Sequence, residues 1–132
     1  MQRGRCARVA EKQLRRLAGL VGLDGWTIEL VVGRCSSDEA VAEVVCQGEY
    51  LRADLTVDNK KLDDEEALLA TLAHEVLHIA LWPIELCAPI AYSACDEGPA
   101  RKMLELSLVQ AIERTVVGLE PLLISAYKRE YE

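Results

Sequence analysis

His74 and His78, the only histidines among 132 residues, stand four apart, and Glu75 follows the first. On a helix, residues four apart lie one above the other with Cβ atoms about 5–6 Å apart, so both imidazoles can reach one metal ion at about 2.0–2.1 Å. A glutamate beside the first histidine then stands next to water at that metal, within reach of its proton. The segment His74-Glu75-Val76-Leu77-His78 is thus an H-E-x-x-H pattern, and it points to zinc-assisted hydrolysis with Glu75 as general base. The bland alternative is an amphipathic helix carrying two incidental imidazoles. Against it, the two histidines interrupt a face that otherwise reads Ala67, Thr71, Leu81, where a packed core prefers aliphatics. Burying two imidazoles and a carboxylate without partners is costly.

Two histidines do not complete a site. With no third histidine in the chain, the next ligand has to be a carboxylate, a thiol or water. The residues after His78, Ile79-Ala80-Leu81-Trp82-Pro83, also lack the three-histidine extension of the motif. Glu113 is the preferred third ligand, because it falls on an apolar helical stripe with Leu106, Val109 and Val116, and a carboxylate on such a stripe needs a partner. Glu105 is less well aligned, and Cys95, Asp96 and Glu97 remain further candidates. A rival arrangement joins His74 and His78 to Cys87 and Cys95 in a closed structural zinc site. The seven-residue gap between those cysteines and the presence of Glu75 count against it.

The elements that must position these residues follow from periodicity and punctuation. Val9, Leu14, Leu17, Leu20 and Val21 recur at helical spacing and predict a first helix over about Arg3 to Leu20, ended by Gly22. Trp26 to Val32 reads as a strand. Ala40 to Cys46 and Tyr50 to Val57 read as two more, joined by a short glycine-containing connection at Gln47-Gly48-Glu49. In the last run Leu51, Ala53, Leu55 and Val57 alternate with Arg52, Asp54 and Thr56, which gives one dry and one wet face. Asp63 as N-cap with Glu66 three residues on predicts the motif helix over about Asp64 to Leu81. Leu69, Leu72, Val76 and Ile79 form its packed face, and Thr71, His74 and His78 face a cleft. Pro83 and Pro89 stop that helix and begin an irregular connection through Cys95. A last helix runs from about Ala100 to Gly118, with a tail punctuated by Pro121.

Composition bounds the rest. A length of 132 residues with 51% apolar content suits one domain spanning residues 1–132. The formal charge of -7 argues against a nucleic-acid partner, which calls for a basic stripe; the cluster of Arg3, Arg5, Arg8, Lys12, Arg15 and Arg16 reads as the wet face of the first helix. Five cysteines cannot all pair, and none forms a C-x-x-C, so they read as reduced thiols of a cytoplasmic protein. The basic start is followed by further charges where a signal peptide needs an apolar run. The apolar stretch from Ala67 to Tyr92 is interrupted by His74, Glu75, His78, Glu85 and two prolines, which argues for a buried helix and against a membrane span.

With Leu72-Ala73-His74-Glu75-Val76-Leu77-His78-Ile79, a downstream Ile112-Glu113-Arg114-Thr115-Val116, and the order helix, three strands, motif helix, glutamate helix, the chain resembles the small gluzincin-like metallopeptidases called minigluzincins. Similar sequences occur in bacteria and their phages. The resemblance implies an α+β, zincin-like domain that hydrolyses peptide bonds. It also implies zinc on His74, His78 and Glu113, with Glu75 activating water, and an extended peptide or protein substrate added along a strand edge, here expected at Tyr50 to Val57. No spare histidine is present to stabilise an oxyanion, which leaves Tyr92, Tyr127 or Arg114 for that role. A tail from Leu119 to Glu132 lying across the cleft would hold the enzyme inactive.

Overall fold

In the computed structural model, which describes residues 1–132, the first helix α1 spans Arg3–Leu20. Its buried stripe is Cys6, Ala10, Leu14, Leu17 and Ala18, every third or fourth residue, while Leu20 is more than a third exposed. The small side chains of Cys6 and Ala10 extend the stripe toward the helix start, where aliphatic periodicity alone gave no sign of it. The helix closes as a Schellman turn: the Leu23 amide donates to the Ala18 carbonyl at 2.9 Å and Gly22 takes φ +75°, a conformation open to glycine at no steric cost.

The three strands β1 (Thr27–Val32), β2 (Ala42–Gln47) and β3 (Arg52–Val57) form one mixed sheet in the order β1-β3-β2. β3 runs parallel to β1 and antiparallel to β2. Register lines up three inward rows: Ile28–Ala53–Cys46, Leu30–Leu55–Val44 and Val32–Val57–Ala42. Ala53, Leu55 and Val57 are fully buried, as their alternation with polar residues requires. Between β2 and β3 the chain makes a short 3-10 turn, Gly48–Tyr50, and Leu51 adopts φ 50° before β3 begins, so the third strand starts two residues later than periodicity suggests. Gly48 lies hard against the Trp82 ring, where a Cβ has no room.

Helix α2 (Glu65–Ala80) carries the motif. Its N-cap is Asp64, one residue beyond the expected Asp63: the Asp64 carboxylate accepts from the Ala67 amide at 2.8 Å, and Glu66 is left to pair with Lys128 at 3.1 Å. Leu69, Leu72, Val76 and Ile79 are buried as expected, and Leu68, Ala73 and Leu77 join them because α2 is the central helix, packed on α1, on β2 and on the last helix.

The proline-rich stretch after α2 is helical and not irregular. Helix α3 (Trp82–Ser93) starts after a single residue, Leu81, and leaves α2 at a bend of 58°. Pro83 sits in its first turn, where the missing N–H is not needed, and Pro89 interrupts only one backbone bond inside it. The last helix, α4, is one piece from Pro99 to Tyr131, 33 residues and about 50 Å long, running through Gly118 and Pro121. A proline inside a helix costs about 3 kcal/mol. Burial of Val116, Leu123 and Tyr127 on both sides of Pro121 offsets that. The architecture is α+β, with four helices and a three-stranded mixed sheet. No single helix is long and apolar enough to cross a membrane.

Candidate metal centre

One turn of α2 brings the His74 and His78 rings together, with their Nε2 atoms 3.2 Å apart. From α4, the Glu113 carboxylate closes the triangle: Oε1 lies 3.0 Å from His78 Nε2 and Oε2 lies 3.8 Å from His74 Nε2. Donors held at about 2.0–2.1 Å around a tetrahedral ion stand about 3.3–3.4 Å from one another. The 3.0 and 3.8 Å contacts use different oxygens of Glu113, so the spacings lie around that value without forming one regular triangle, and the three side chains converge as a group that could hold a small cation. These three residues form the one group of three or more potential ligands whose donor atoms converge, all within 4.8 Å.

The far side of each ring explains why Nε2 faces the centre. His78 Nδ1 is 2.8 Å from Glu85 Oε1 on α3, and His74 Nδ1 is bonded to Glu120 on α4. An ionised carboxylate can only accept, so in each neutral ring the proton sits on Nδ1 and the Nε2 lone pair is free. Two imidazole lone pairs and a carboxylate then converge with no donor among them. That arrangement is electrostatically unfavourable until a cation is shared.

Glu85 and Glu120 were not picked out by sequence reasoning. Glu120 follows Glu113 by seven residues and so shares its helical face, a signal that the expected break before Pro121 hid. Glu85 lies on α3, between two prolines that mask the helix in the sequence. The stripe that suggested Glu113 is itself only partly dry, since Val116 is fully buried whereas Leu106 and Val109 are more than half exposed. The other ligand candidates stand apart: Glu105, Asp96, Glu97 and Cys87 are exposed, and neither Cys87 nor Cys95 joins the histidines.

Glu75 is half-buried beside the two rings. Burial pushes its carboxyl pKa up, the histidines pull it down, and Glu113 and Glu85 push it further up. It touches two hollows. One, of about 550 Å³, lies between β2 and the α3 wall of Trp82, Leu86 and Pro89, on the His78 side. The other, of about 320 Å³, lies on the His74 side beside Ala70, Thr71 and Glu120. Both run along β2. A separate cavity of about 540 Å³, lined wholly by non-apolar residues such as Arg3, Arg34 and Lys61, holds none of the motif residues.

The strand bordering this groove is β2, not the expected Tyr50–Val57 run, whose β3 is the central strand and has both edges paired. The Asp58 amide donates to the Val41 carbonyl at 2.8 Å, in line with the antiparallel register. By the alternation of such a ladder, the odd-numbered residues of β2 are tied to β3, while Ala42, Val44 and Cys46 turn their amides and carbonyls to the open edge. The expected oxyanion donors do not line either hollow. Tyr127 is buried in the core with its hydroxyl 3.5 Å from Arg16, Arg114 is exposed, and Tyr92 is half-buried on α3. No protein-family model, curated protein or solved structure matches this chain.

Proposed function

We propose that the protein is a zincin-like, zinc-dependent metallopeptidase of gluzincin type that hydrolyses peptide bonds in an extended peptide or protein substrate. The observation that carries this function is the convergence of His74 Nε2, His78 Nε2 and the Glu113 carboxylate, all within 4.8 Å of one another, next to a half-buried glutamate. When bound, zinc supplies Lewis acidity that polarises a carbonyl and acidifies water. Glu75 is the general base of this scheme. It takes a proton from the attacking water and returns it to the leaving amine, from a half-buried position beside both rings. Glu85 and Glu120 hold the two rings in the ligating tautomer. The open edge of β2 accepts the substrate backbone as an added strand beside Glu75.

A second function has one observation in its favour. None of Tyr92, Tyr127 and Arg114 lines the groove, which leaves oxyanion stabilisation without the three expected donors, and such donors are worth about 10²–10³ in kcat. A non-catalytic zinc-binding module of metallopeptidase shape would show this feature. Incubation of the zinc-loaded chain with unfolded casein separates the two. Cleavage by wild type, reduced about 100-fold or more in Glu75→Gln, supports the peptidase. Wild type that binds zinc and leaves casein intact supports the non-catalytic module.

A further inference from the structure

The groove is charged in one sense only. Glu43, Glu75, Glu85 and Glu120 line its two hollows, no lysine or arginine does, and Glu113 stands at the metal centre between them. A dication neutralises two of these five carboxylates. In a concave site, fields of one sign reinforce one another and select ligands of the opposite sign.

Four of the five carboxylates have tasks already: Glu75 beside the centre, Glu113 on it, Glu85 and Glu120 behind the rings. Glu43 has none of these. It sits on β2, and its carboxylate accepts from the Ser36 amide at 2.8 Å and the Ser36 hydroxyl at 2.5 Å. Those two bonds fix the group on the face of β2 opposite the inward Ala42–Val44–Cys46 row, at the rim of the larger hollow, where every second side chain of a strand added to the β2 edge would pass it, and they hold its pKa below the usual carboxylate range. A positioned, permanently ionised carboxylate on the strand that borders the substrate path is a specificity element.

Resting on the proposal that this groove is a peptide cleft, we infer that it selects cationic peptides, segments carrying lysine or arginine close to the residue seated against Glu75, and that Glu43 is the determinant of that choice on the Trp82 side. The wall of Trp82, Leu86 and Pro89, farther along the same hollow toward Gly48, takes an apolar neighbour. Acidic peptides are rejected by like-charge juxtaposition.

The test is fluorescence anisotropy on the zinc-loaded full chain with two labelled decapeptides, identical except for two central lysines in one and two central glutamates in the other. At low salt the lysine peptide is expected to bind at least about tenfold tighter, a preference that shrinks as salt rises. Glu43→Gln should weaken the lysine peptide about two- to fivefold, as befits an exposed ion pair, while Glu130→Gln, the same charge removed at the far end of α4, leaves it unchanged. Equal binding of both peptides, preference for the acidic one, no binding of either, or equal effects of the two variants would overturn the inference. Mass spectrometry of the same mixtures keeps the two proposals apart. Cleavage without charge preference sinks this inference alone, and charge-selective binding without cleavage sinks the peptidase alone.

Discussion

The His74 and His78 rings are each tied to a carboxylate through Nδ1, which leaves Nε2 lone pairs pointing at Glu113. Replacing such a partner loosens ring orientation and lowers ligand basicity, which costs 10- to 100-fold in metal affinity as a rule. Glu120→Gln and Glu85→Gln are therefore each expected to weaken zinc by about that factor with the fold intact, as competition against a chromophoric chelator will measure; unchanged affinity would mean the pairs are incidental. Of this site, the two histidines and Glu75 were fully legible in the sequence, because helical spacing and the metal's demands coincide within five residues. Glu113 was legible as one candidate among several, for a reason only half valid. The carboxylates behind the rings were not legible, because they are contributed by elements whose continuity prolines obscured. Cys46, on the groove strand, has its thiol pushed from an ordinary value near 9 up to about 11 by burial and by Glu85 and Glu75. The thiolate is the reactive form, so at pH 8 in chelator Cys46 should alkylate with iodoacetamide more slowly than exposed Cys87, and its rate should climb toward pH 11. Since the folded pKa is the higher one, its contribution to stability is full below pH 9 and is lost as pH rises through 11. Equal rates at pH 8 by peptide mass spectrometry would contradict the burial of this thiol.

At the scale of elements, strong periodicity was read nearly to the residue: α1 has the expected limits, and β1 and α2 each differ by about one residue at an end. Alternation identified β3 as half-dry but not as central, because strand order depends on long-range pairing and leaves no local mark. Prolines misled in the other direction. Each was weighed for the backbone bond it removes, whereas what decides is the apolar surface the helix buries on either side, as Val116, Leu123 and Tyr127 do around Pro121. The contact between Gly48 and the Trp82 ring joins the turn after β2 to the start of α3, and so sets the width of the groove on the His78 side. Gly48→Ala forces that ring to move. Overpacking of this kind costs about 1–3 kcal/mol, which urea unfolding will read; a variant as stable as wild type would show that the turn and α3 are not braced against each other.

For the molecule as a whole, the stretch from Leu119 to Glu132 is the second half of a continuous α4 and part of the core, not a cover over the cleft. It supplies Leu123 and Tyr127 to the interior and Glu120 to His74. Burial of one large apolar side chain is worth about 1.5–3 kcal/mol. Losing two removes a large share of a marginal total of about 5–15 kcal/mol. Deletion of residues 119–132 is expected to abolish the cooperative thermal transition seen by circular dichroism and not to raise activity; a truncated chain that melts like wild type would contradict this. The candidate metal centre likewise belongs to the whole fold, because the three side chains that could hold an ion come from α2 and α4 and the carboxylates behind the rings from α3 and α4. The most direct measurement is bound zinc per chain by elemental analysis after dialysis. One zinc in wild type, kept in Glu75→Gln, lost in His74→Ala and His78→Ala and reduced in Glu113→Ala is the predicted result. Zinc that survives both histidine replacements, or that is indifferent to Glu113→Ala and disappears when Cys87 or Cys95 is replaced, would contradict the centre described here.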